Sequence, residues 1–296
     1  MKHTLNNDQQ AIQHHYDVSN DFYRLFLGKY MVYSCAYFQH KDDDIDQAQF
    51  NKLDYICRKL RLKPGERFLD IGSGWGSLVV HAAKHYGVHA YGVTLSKQQY
   101  QWAQDWIRRE GLQNMCRVEI KDYRELTGHK NFDKITSIGM FEHVGIDQFR
   151  TYFQVAKRLL KEDGLFLNHG ITTERTRVQR STGSRFMDTF IFPNAELINI
   201  SYILQHMEEL EFEIIDVESL RRHYARTLAL WCRKLRDRNA EALQLAGERT
   251  YRTWLLYMAG CAHRFREANV NIYQVLLSKR GKGSETLPMT RADVYR

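Results

Sequence analysis

The chain has 296 residues, and its 43% hydrophobic content, with 12% aromatic residues, is enough for a packed core in one large or two small domains. No segment has the roughly 18 to 20 consecutive apolar residues of a membrane-spanning helix, and the amino terminus lacks the apolar stretch of a signal peptide, so we expect a cytoplasmic protein. The net charge of +8 indicates an anionic partner, such as nucleic acid, an acidic carrier protein or an anionic membrane surface.

The cysteines are far apart in the sequence and form neither a Cys-x-x-Cys pair nor a metal-binding spacing with histidine. They are Cys35, Cys57, Cys116, Cys232 and Cys261. We therefore expect free thiols and no structural metal.

From about residue 48 the chain alternates between strand-like and helix-like segments. The predicted strands are 67–71, 89–95, 117–121, 134–140 and 164–168, and the predicted helices are 76–87, 97–111 and 147–161. This alternation predicts an α/β fold, a parallel sheet with helices on both faces. Two further strand-like segments, Phe212–Val217 and Ile272–Ser278, flank a helical stretch near 241–268. By analogy with a known class of such sheets, they would suit an antiparallel pair at the sheet edge.

Two regions fall outside this alternation. Residues 1–47 are rich in His, Tyr, Phe and Asp, and residues 172–210 contain four arginines between positions 175 and 185. We expect both regions to lie above the carboxyl edge of the sheet, the first as a helical cover and the second as a lid insertion. The segment after Lys279 begins Arg-Gly-Lys-Gly-Ser, and we expect residues 280–296 to form a flexible tail.

The first predicted strand ends in three glycines, Gly72, Gly74 and Gly76, within the sequence Asp-Ile-Gly-Ser-Gly-Trp-Gly. Such a turn leaves bare backbone at the carboxyl edge of a sheet, where a nucleotide-like ligand can approach closely. The spacing differs from the dinucleotide fingerprint Gly-x-Gly-x-x-Gly and looks like the first motif of methyltransferases that depend on S-adenosylmethionine (SAM). A tight turn without a ligand is the structural alternative.

The ends of the next strands are candidates for the other walls of a cofactor pocket. Many SAM-dependent methyltransferases have an acidic residue after the second strand, whereas this chain has Thr94, and the amide of Gln99 is a reasonable substitute. After the third strand, Asp122 could accept from an adenine amino group and Tyr123 could cover the adenine ring. The structural alternatives are an N-cap for Asp122 and a core position for Tyr123.

Taken together, these segments make the chain similar to the cyclopropane fatty acid synthase family, which includes the mycolic acid cyclopropane synthases. The matching motifs are Tyr16–Tyr23, Met31–Phe38, Leu69–Gly76, Gly92–Ser96, Phe141–Gly145 and His223–Leu228. The match runs from about residue 12 to residue 279. It implies one methyltransferase domain over residues 1–296, built on a doubly wound, mostly parallel, seven-stranded Rossmann-like sheet.

The resemblance implies transfer of a methyl group from SAM to a carbon of a cis double bond in a lipid acyl chain, followed by proton loss and closure of a cyclopropane ring. In the family a bicarbonate ion beside the reacting carbons takes that proton. The residues that match its holders are Cys35, Glu142, His169, Ile171 through its backbone, and Tyr224. The residues that match the SAM contacts are Tyr33, Ser34, Gly72, Gly74, Thr94, Leu95, Gln99, Asp122, Tyr123 and Ile138.

The partner that the resemblance implies is an unsaturated phospholipid at an anionic membrane surface, to which the protein would bind peripherally. The arginines at 175–185 and Arg221, Arg222 and Arg226 suggest phosphate groups, and a homodimer is left open. We expect no nucleic-acid partner, because no RNA-binding module and no Asn-Pro-Pro-Tyr motif is recognisable. The alternative function is a small-molecule amine N-methyltransferase, because plant alkaloid N-methyltransferases also resemble this family.

Overall fold

A seven-stranded sheet, in the order β3-β2-β1-β4-β5-β7-β6, organises the fold. This computed structural model describes residues 19–173, 186, 189–191, 196–281 and 287–295. The strands are β1 (Arg67–Ile71), β2 (His89–Thr94), β3 (Cys116–Ile120), β4 (Phe132–Ile138), β5 (Leu160–Thr173), β6 (Phe212–Ser219) and β7 (Val270–Lys279). Strands β1 to β5 pair in parallel, whereas β7 is antiparallel to both β5 and β6. The predicted parallel sheet and its antiparallel edge pair are confirmed.

The described helices surround this sheet. They are α1 (Asn20–Leu27), α2 (Ile45–Lys59), α3 (Ser77–Tyr86), α4 (Lys97–Arg109), α5 (Phe149–Leu159), α6 (Ile200–Glu209), α7 (Arg221–Asp237) and α8 (Asn239–Arg266). The helices expected at 76–87, 97–111, 147–161 and 241–268 are confirmed as α3, α4, α5 and α8, within about two residues at each end. Among these described helices, none is both long enough and apolar enough to cross a bilayer.

Helix α7 was missed because its many arginines obscure a helical stripe. Its buried apolar residues, Tyr224, Leu228, Trp231 and Leu235, are spaced by three or four positions, which is the spacing of one helix face. This stripe packs with α8 and α1 in a hydrophobic cluster. The three helices therefore form a common apolar wall above the end of the sheet.

The described part of the amino-terminal region, residues 19–47, is tied to the glycine turn after β1. Trp75 Nε1 donates to Asn20 Oδ1 at 2.8 Å, and Ser77 Oγ donates to the carbonyl oxygen of Tyr30 at 2.6 Å. Ser19 caps helix α1, because its side chain accepts from the backbone N–H of Phe22. These contacts place the segment that contains Tyr33, Ser34 and Cys35 over the carboxyl edge of the sheet.

Several predicted features lie outside the described residues. They are residues 1–18, with the first part of the Tyr16–Tyr23 motif, and residues 174–185, 187–188 and 192–195 of the lid insertion, which include all four arginines at 175–185.

The predicted flexible tail is wrong for residues 287–295. Val294 is buried, Arg61 pairs with Asp293 at 2.8 Å, and Arg291 pairs with Asp216 on β6 at 2.5 Å. The sequence Arg-Gly-Lys-Gly-Ser that follows β7 favoured disorder, but the residues beyond it carry the apolar and charged side chains that dock near the end of α2 and on β6.

Candidate active site

A single cleft at the carboxyl edge of the sheet is lined by all ten residues predicted to bind the cofactor. We call it the carboxyl-edge cleft, and its predicted lining residues are Tyr33, Ser34, Gly72, Gly74, Thr94, Leu95, Gln99, Asp122, Tyr123 and Ile138. They come from the amino-terminal segment and from the ends of β1, β2, β3 and β4. The parallel strands bring them together because all four strands end at the same edge.

The glycine turn forms the floor of this cleft. Gly74 has φ +55°, in the left-handed region, and a Cβ atom there would meet nothing within 4 Å. At Gly76, by contrast, a Cβ atom would lie 2.9 Å from Cβ of Ala103 on α4. Gly76 therefore permits close helix packing, whereas Gly74 leaves bare backbone facing open space, where a ligand can approach.

Two polar side chains from the β2 end are bonded to each other. Thr94 Oγ1 donates to Gln99 Oε1 at 2.7 Å, and Ser96 caps α4 by accepting from the backbone N–H of Gln99. The Gln99 amide is thereby held with its oxygen toward Thr94. Its NH₂ group is the part of the amide that can donate to a ligand.

Asp122 is an N-cap, which was the structural alternative for this residue. It caps the short 3₁₀ turn Tyr123–Glu125, and both of its carboxylate oxygens accept 2.8 Å hydrogen bonds from the guanidinium of Arg124. Asp122 nevertheless lines the cleft, together with Arg124, which the sequence interpretation did not single out. The carboxylate faces the cleft already paired with a cation.

At the other end of the cleft, the amino-terminal segment is anchored by partners that the sequence interpretation also missed. The hydroxyl of Tyr33 donates to the hydroxyl of Tyr257 on α8 at 3.1 Å. The ammonium of Lys52, on α2, donates to Ser34 Oγ at 3.2 Å and is itself almost fully buried. A lysine on the buried face of an amphipathic helix was the signal that could have identified this residue.

The five predicted catalytic residues form a buried polar cluster beside the cleft. Its members are Cys35, Glu142, His169, Ile171 and Tyr224. Three of them adjoin residues that line the cleft: Cys35 follows Ser34, Glu142 precedes His143, and His169 pairs with Ile138 in the β4–β5 register. Ile171 is half-buried and the other four are buried.

The carboxylate of Glu142 is fixed by the backbone of β5. Its Oε1 accepts from the backbone N–H of Ile171 at 2.7 Å. Gly170 permits this approach, because a Cβ atom there would lie 1.7 Å from the ring of Phe141, which precedes Glu142. The hydrogen bond from the backbone N–H of Ile171 thus orients the carboxylate of Glu142.

Leu220 links Cys35 and Tyr224 to β7, the strand beside β5. Cys35 Sγ lies 3.7 Å from the carbonyl oxygen of Leu220, which also accepts from the backbone N–H of Tyr224. The backbone N–H of Leu220 in turn donates to Ile272, the β7 residue paired with Ile171. These contacts join Cys35 and Tyr224, through Leu220 and Ile272, to Ile171, whose N–H holds Glu142. His169 lies two residues before Ile171 on β5.

Two polar atoms of the cluster are buried without a hydrogen-bond partner among the described residues. They are Glu142 Oε2 and His169 Nε2. The other ring nitrogen of His169, Nδ1, contacts the amide nitrogen of Gln274 on β7 at 3.2 Å. An unpaired buried polar atom costs about 1 to 3 kcal/mol, so two in one cluster indicate a site for a small polar guest.

Burial controls the protonation of this cluster. It raises the pKa of Glu142 to about 7, with the Ile171 hydrogen bond opposing the shift, and it lowers the pKa of His169 well below its ordinary value, helped by the charges of Lys52 and Lys59. Burial also raises the pKa values of the Cys35 thiol and the Tyr224 hydroxyl. Near neutral pH, His169, Cys35 and Tyr224 are uncharged and Glu142 can exist in both forms.

The structure assigns other roles to two arginines that had suggested phosphate binding. Arg221 donates to the carbonyl oxygens of Phe265 and Arg266, and Arg226 donates to those of Lys41 and Asp43. Both guanidinium groups are therefore engaged with the backbone. Arg222 remains exposed.

Sequence comparison finds related proteins over most of the length of the chain. The family model for mycolic acid cyclopropane synthetase matches residues 3–275. The chain is 44% identical to a probable fatty acid methyltransferase of Pseudomonas putida, over 99% of this chain and 75% of that protein. It is 36% identical to cyclopropane mycolic acid synthase 1 of Mycobacterium tuberculosis, over 90% of this chain and 96% of that protein.

Solved structures show the same relationship. The cyclopropane synthase MmaA2 of Mycobacterium tuberculosis has a TM-score of 0.87 at 34% identity, covering 92% of this chain and 98% of that one. Mycolic acid cyclopropane synthase CmaA1, in complex with SAH and CTAB, has a TM-score of 0.86 at 36% identity, with the same coverage. The chain therefore belongs to the mycolic acid cyclopropane synthetase family.

Proposed function

We propose that this protein is a SAM-dependent C-methyltransferase that adds a methylene group across a cis double bond of an unsaturated acyl chain and so forms a cyclopropane ring. Bound bicarbonate is the general base in this proposal, and the acyl chain belongs to a phospholipid at an anionic membrane surface. The observation that carries the proposal is the pair of unpartnered buried atoms, Glu142 Oε2 and His169 Nε2, beside the carboxyl-edge cleft.

The side chains and backbone that line the cleft suit the chemistry of SAM. Gly74 offers bare backbone at its floor, and the start of α3 directs N–H groups toward it. Tyr123 and the Gln99 amide offer a ring face and hydrogen-bond donors for an adenosine group. Bound SAM supplies an electrophilic methyl group on sulfur, and the complex of the relative CmaA1 with SAH supports a ligand of this class.

The buried polar cluster fits bicarbonate better than direct catalysis by a carboxylate. A carboxylate placed against the positive charge that develops on an alkylated double bond would risk forming an ester. A small oxyanion held by several donors avoids this, because it takes the proton and remains exchangeable. Neutral His169 and Tyr224 can donate to such an ion, and Glu142 Oε2 can accept from its hydroxyl group.

Aromatic side chains near the cluster suit the same chemistry. Tyr33 lines the cleft and Phe141 packs against β5 next to Glu142. Ring faces stabilise a nearby cation by about 0.5 to 2 kcal/mol each without bonding to it. They can therefore lower the barrier for attack by the double bond, which is a poor nucleophile and depends on close positioning.

An acyl-chain substrate is supported by relatives named for fatty acids and mycolic acids. The phospholipid carrier and the peripheral membrane site are proposed from the net charge of +8, which favours an anionic surface. Membrane binding is tested most simply by co-sedimentation with vesicles that contain or lack anionic lipid.

An amine N-methyltransferase is the second candidate. The raised pKa of Glu142, about 7, would suit a group that takes a proton from an ammonium substrate. The fold of coclaurine N-methyltransferase is similar, with a TM-score of 0.78, but at 20% identity this likeness concerns the fold alone. Burial of Cys35, His169 and Tyr224 around Glu142 favours the acyl-chain reaction.

The decisive experiment supplies the purified protein with SAM and vesicles of cis-unsaturated phospholipid and analyses the fatty acids by mass spectrometry. We expect chains heavier by one CH₂ that carry a ring, none from saturated vesicles, and little product from Glu142→Gln despite unchanged SAM binding. Unchanged unsaturated chains with bound SAM confirmed, or methylation of an added small amine instead, would contradict the proposal.

A further inference from the structure

The carboxyl-edge cleft has a charged pair at one end that the proposed reaction does not use. Lys52, on α2, and Asp70, near the end of β1, both line the cleft and are both at least nine-tenths buried. Burial lowers the pKa of Lys52 to about 8, and the nearby Asp70 opposes that shift. Burial raises the pKa of Asp70 to about 6, while Thr136 and Lys52 oppose it.

Among the described residues, each side chain of this pair makes one hydrogen bond, which satisfies only part of its hydrogen-bonding groups. Asp70 Oδ1 accepts from Thr136 Oγ1 at 2.7 Å, and the Lys52 ammonium donates to Ser34 Oγ at 3.2 Å. An ammonium has three N–H donors, and a buried ammonium is stabilised when each finds an acceptor. A ligand that brings an anionic oxygen to this end of the cleft would satisfy Lys52.

The position of the pair along the sheet indicates which end of SAM it faces. Thr94, Gln99, Asp122 and Tyr123 follow β2 and β3, on one side of β1 in the strand order. Lys52 contacts Ser34, which precedes Cys35 of the buried polar cluster, and its charge affects His169 on β5, on the other side of β1. Lys52 is therefore at the end of the cleft away from the adenosine wall.

The amino-acid end of SAM carries a carboxylate and an ammonium on the same carbon. We propose, on the basis of the proposed function, that the Lys52 ammonium binds this carboxylate, with Asp70 providing the opposite charge for the ammonium. The other lysine and arginine residues that line the cleft in the described parts of the chain, Lys121 and Arg124, follow β3 at the opposite end, and Arg124 is paired with Asp122.

The test compares three ligands by calorimetry: SAH, its decarboxylated analogue S-adenosyl-3-thiopropylamine, and 5′-methylthioadenosine. All three share the adenosine and thioether groups, and only SAH has the carboxylate. Wild-type protein should bind SAH more tightly than the analogue. Lys52→Met should weaken SAH binding about 10-fold or more and leave binding of the analogue and of methylthioadenosine unchanged, because a charge-assisted hydrogen bond is lost.

Lys59→Met is the matched control. Lys59 is a second buried lysine on α2, but it pairs with Asp216 and Glu218 and does not line the cleft. Its substitution should change stability without changing the preference for SAH over the decarboxylated analogue. Lys52→Arg, which keeps the positive charge, should retain part of that preference.

Three outcomes would overturn the assignment of Lys52. The first, which needs no variant, is that the wild-type protein binds SAH and its decarboxylated analogue with equal affinity. The second is that Lys52→Met loses affinity equally for both ligands, and the third is that Lys59→Met loses affinity for SAH alone. If the wild-type protein binds neither SAH nor methylthioadenosine, the proposed function itself fails, and the two failures are thereby distinguished.

Discussion

The amide nitrogen of Gln274, on β7, lies 3.2 Å from Nδ1 of His169, on the adjacent strand β5, and both side chains are fully buried. With the amide nitrogen of Gln274 placed toward the ring, Nδ1 accepts and the neutral imidazole carries its proton on Nε2. Nε2 is one of the two unpartnered atoms of the buried polar cluster. Gln274 therefore fixes the ring so that an N–H donor points into the cluster.

We expect Gln274→Met to reduce formation of the methylenated product by at least about 10-fold, because the imidazole loses the contact that sets its tautomer and orientation. The affinity for SAH should not change, since Gln274 does not line the cleft. The ¹⁵N chemical shifts of the His169 ring report the tautomer directly. An unchanged ring spectrum together with lost activity would contradict this positioning role.

Removal of bicarbonate is expected to stop turnover without displacing the cofactor. In buffer purged of carbon dioxide, we expect product formation to fall by at least about 10-fold and to recover on addition of bicarbonate, because the general base has been withdrawn from Glu142 and His169. SAH affinity, measured in the same purged buffer, serves as the control. Equal turnover with and without bicarbonate would assign the base to a residue of the chain.

The sheet could be predicted from the sequence because its strands are short apolar runs that end in glycine or polar turns. The same reasoning missed α7, where arginines interrupt the apolar pattern, and it assigned residues 287–295 to a flexible tail. Docking of that segment depends on Asp216 and Arg61, which are distant in sequence. Long-range ion pairs of this kind leave no local pattern.

The candidate site was predicted in two different ways. The glycine turn followed from local physical chemistry, whereas Cys35, His169 and Tyr224 came from the family resemblance, because each in isolation is an ordinary buried residue. Lys52 and Gln274 were missed although each is a polar residue on an otherwise buried face. The pairing of Asp122 with Arg124 depends on side-chain rotamers, which the sequence pattern does not specify.

Gly170→Ala tests whether the Phe141 ring must lie against β5. The added methyl group would clash with the ring at 1.7 Å, so the segment with Glu142 should shift and the free energy of unfolding should fall by about 1 to 3 kcal/mol. Methylenation should be lost as well. Phe141→Ala removes the ring atoms that the new methyl group would meet, so Gly170→Ala should cost less stability in that background than in the wild type, as measured by urea unfolding; an equal cost in both backgrounds would show that the clash is not the cause.

The raised pKa of Glu142 makes a prediction about stability that is independent of catalysis. The pKa of this carboxyl group is about 7 in the folded protein, against an ordinary value of 4.5. The folded state therefore binds the proton more tightly than the unfolded state. The stabilising effect is complete below pH 4.5 and is lost as the pH rises through 7, amounting to about 3 kcal/mol in all.

Glu142→Gln removes this titration while keeping the size of the side chain and a hydrogen-bond acceptor for Ile171. The free energy of unfolding of the wild-type protein should therefore fall relative to that of the variant between pH 4.5 and pH 8, as measured by urea unfolding in bicarbonate-free buffer. Other groups with shifted pKa values, such as Asp70, are common to both proteins and cancel in the difference. A constant difference across this range would mean that Glu142 has an ordinary pKa, and that the cluster is open to water rather than buried.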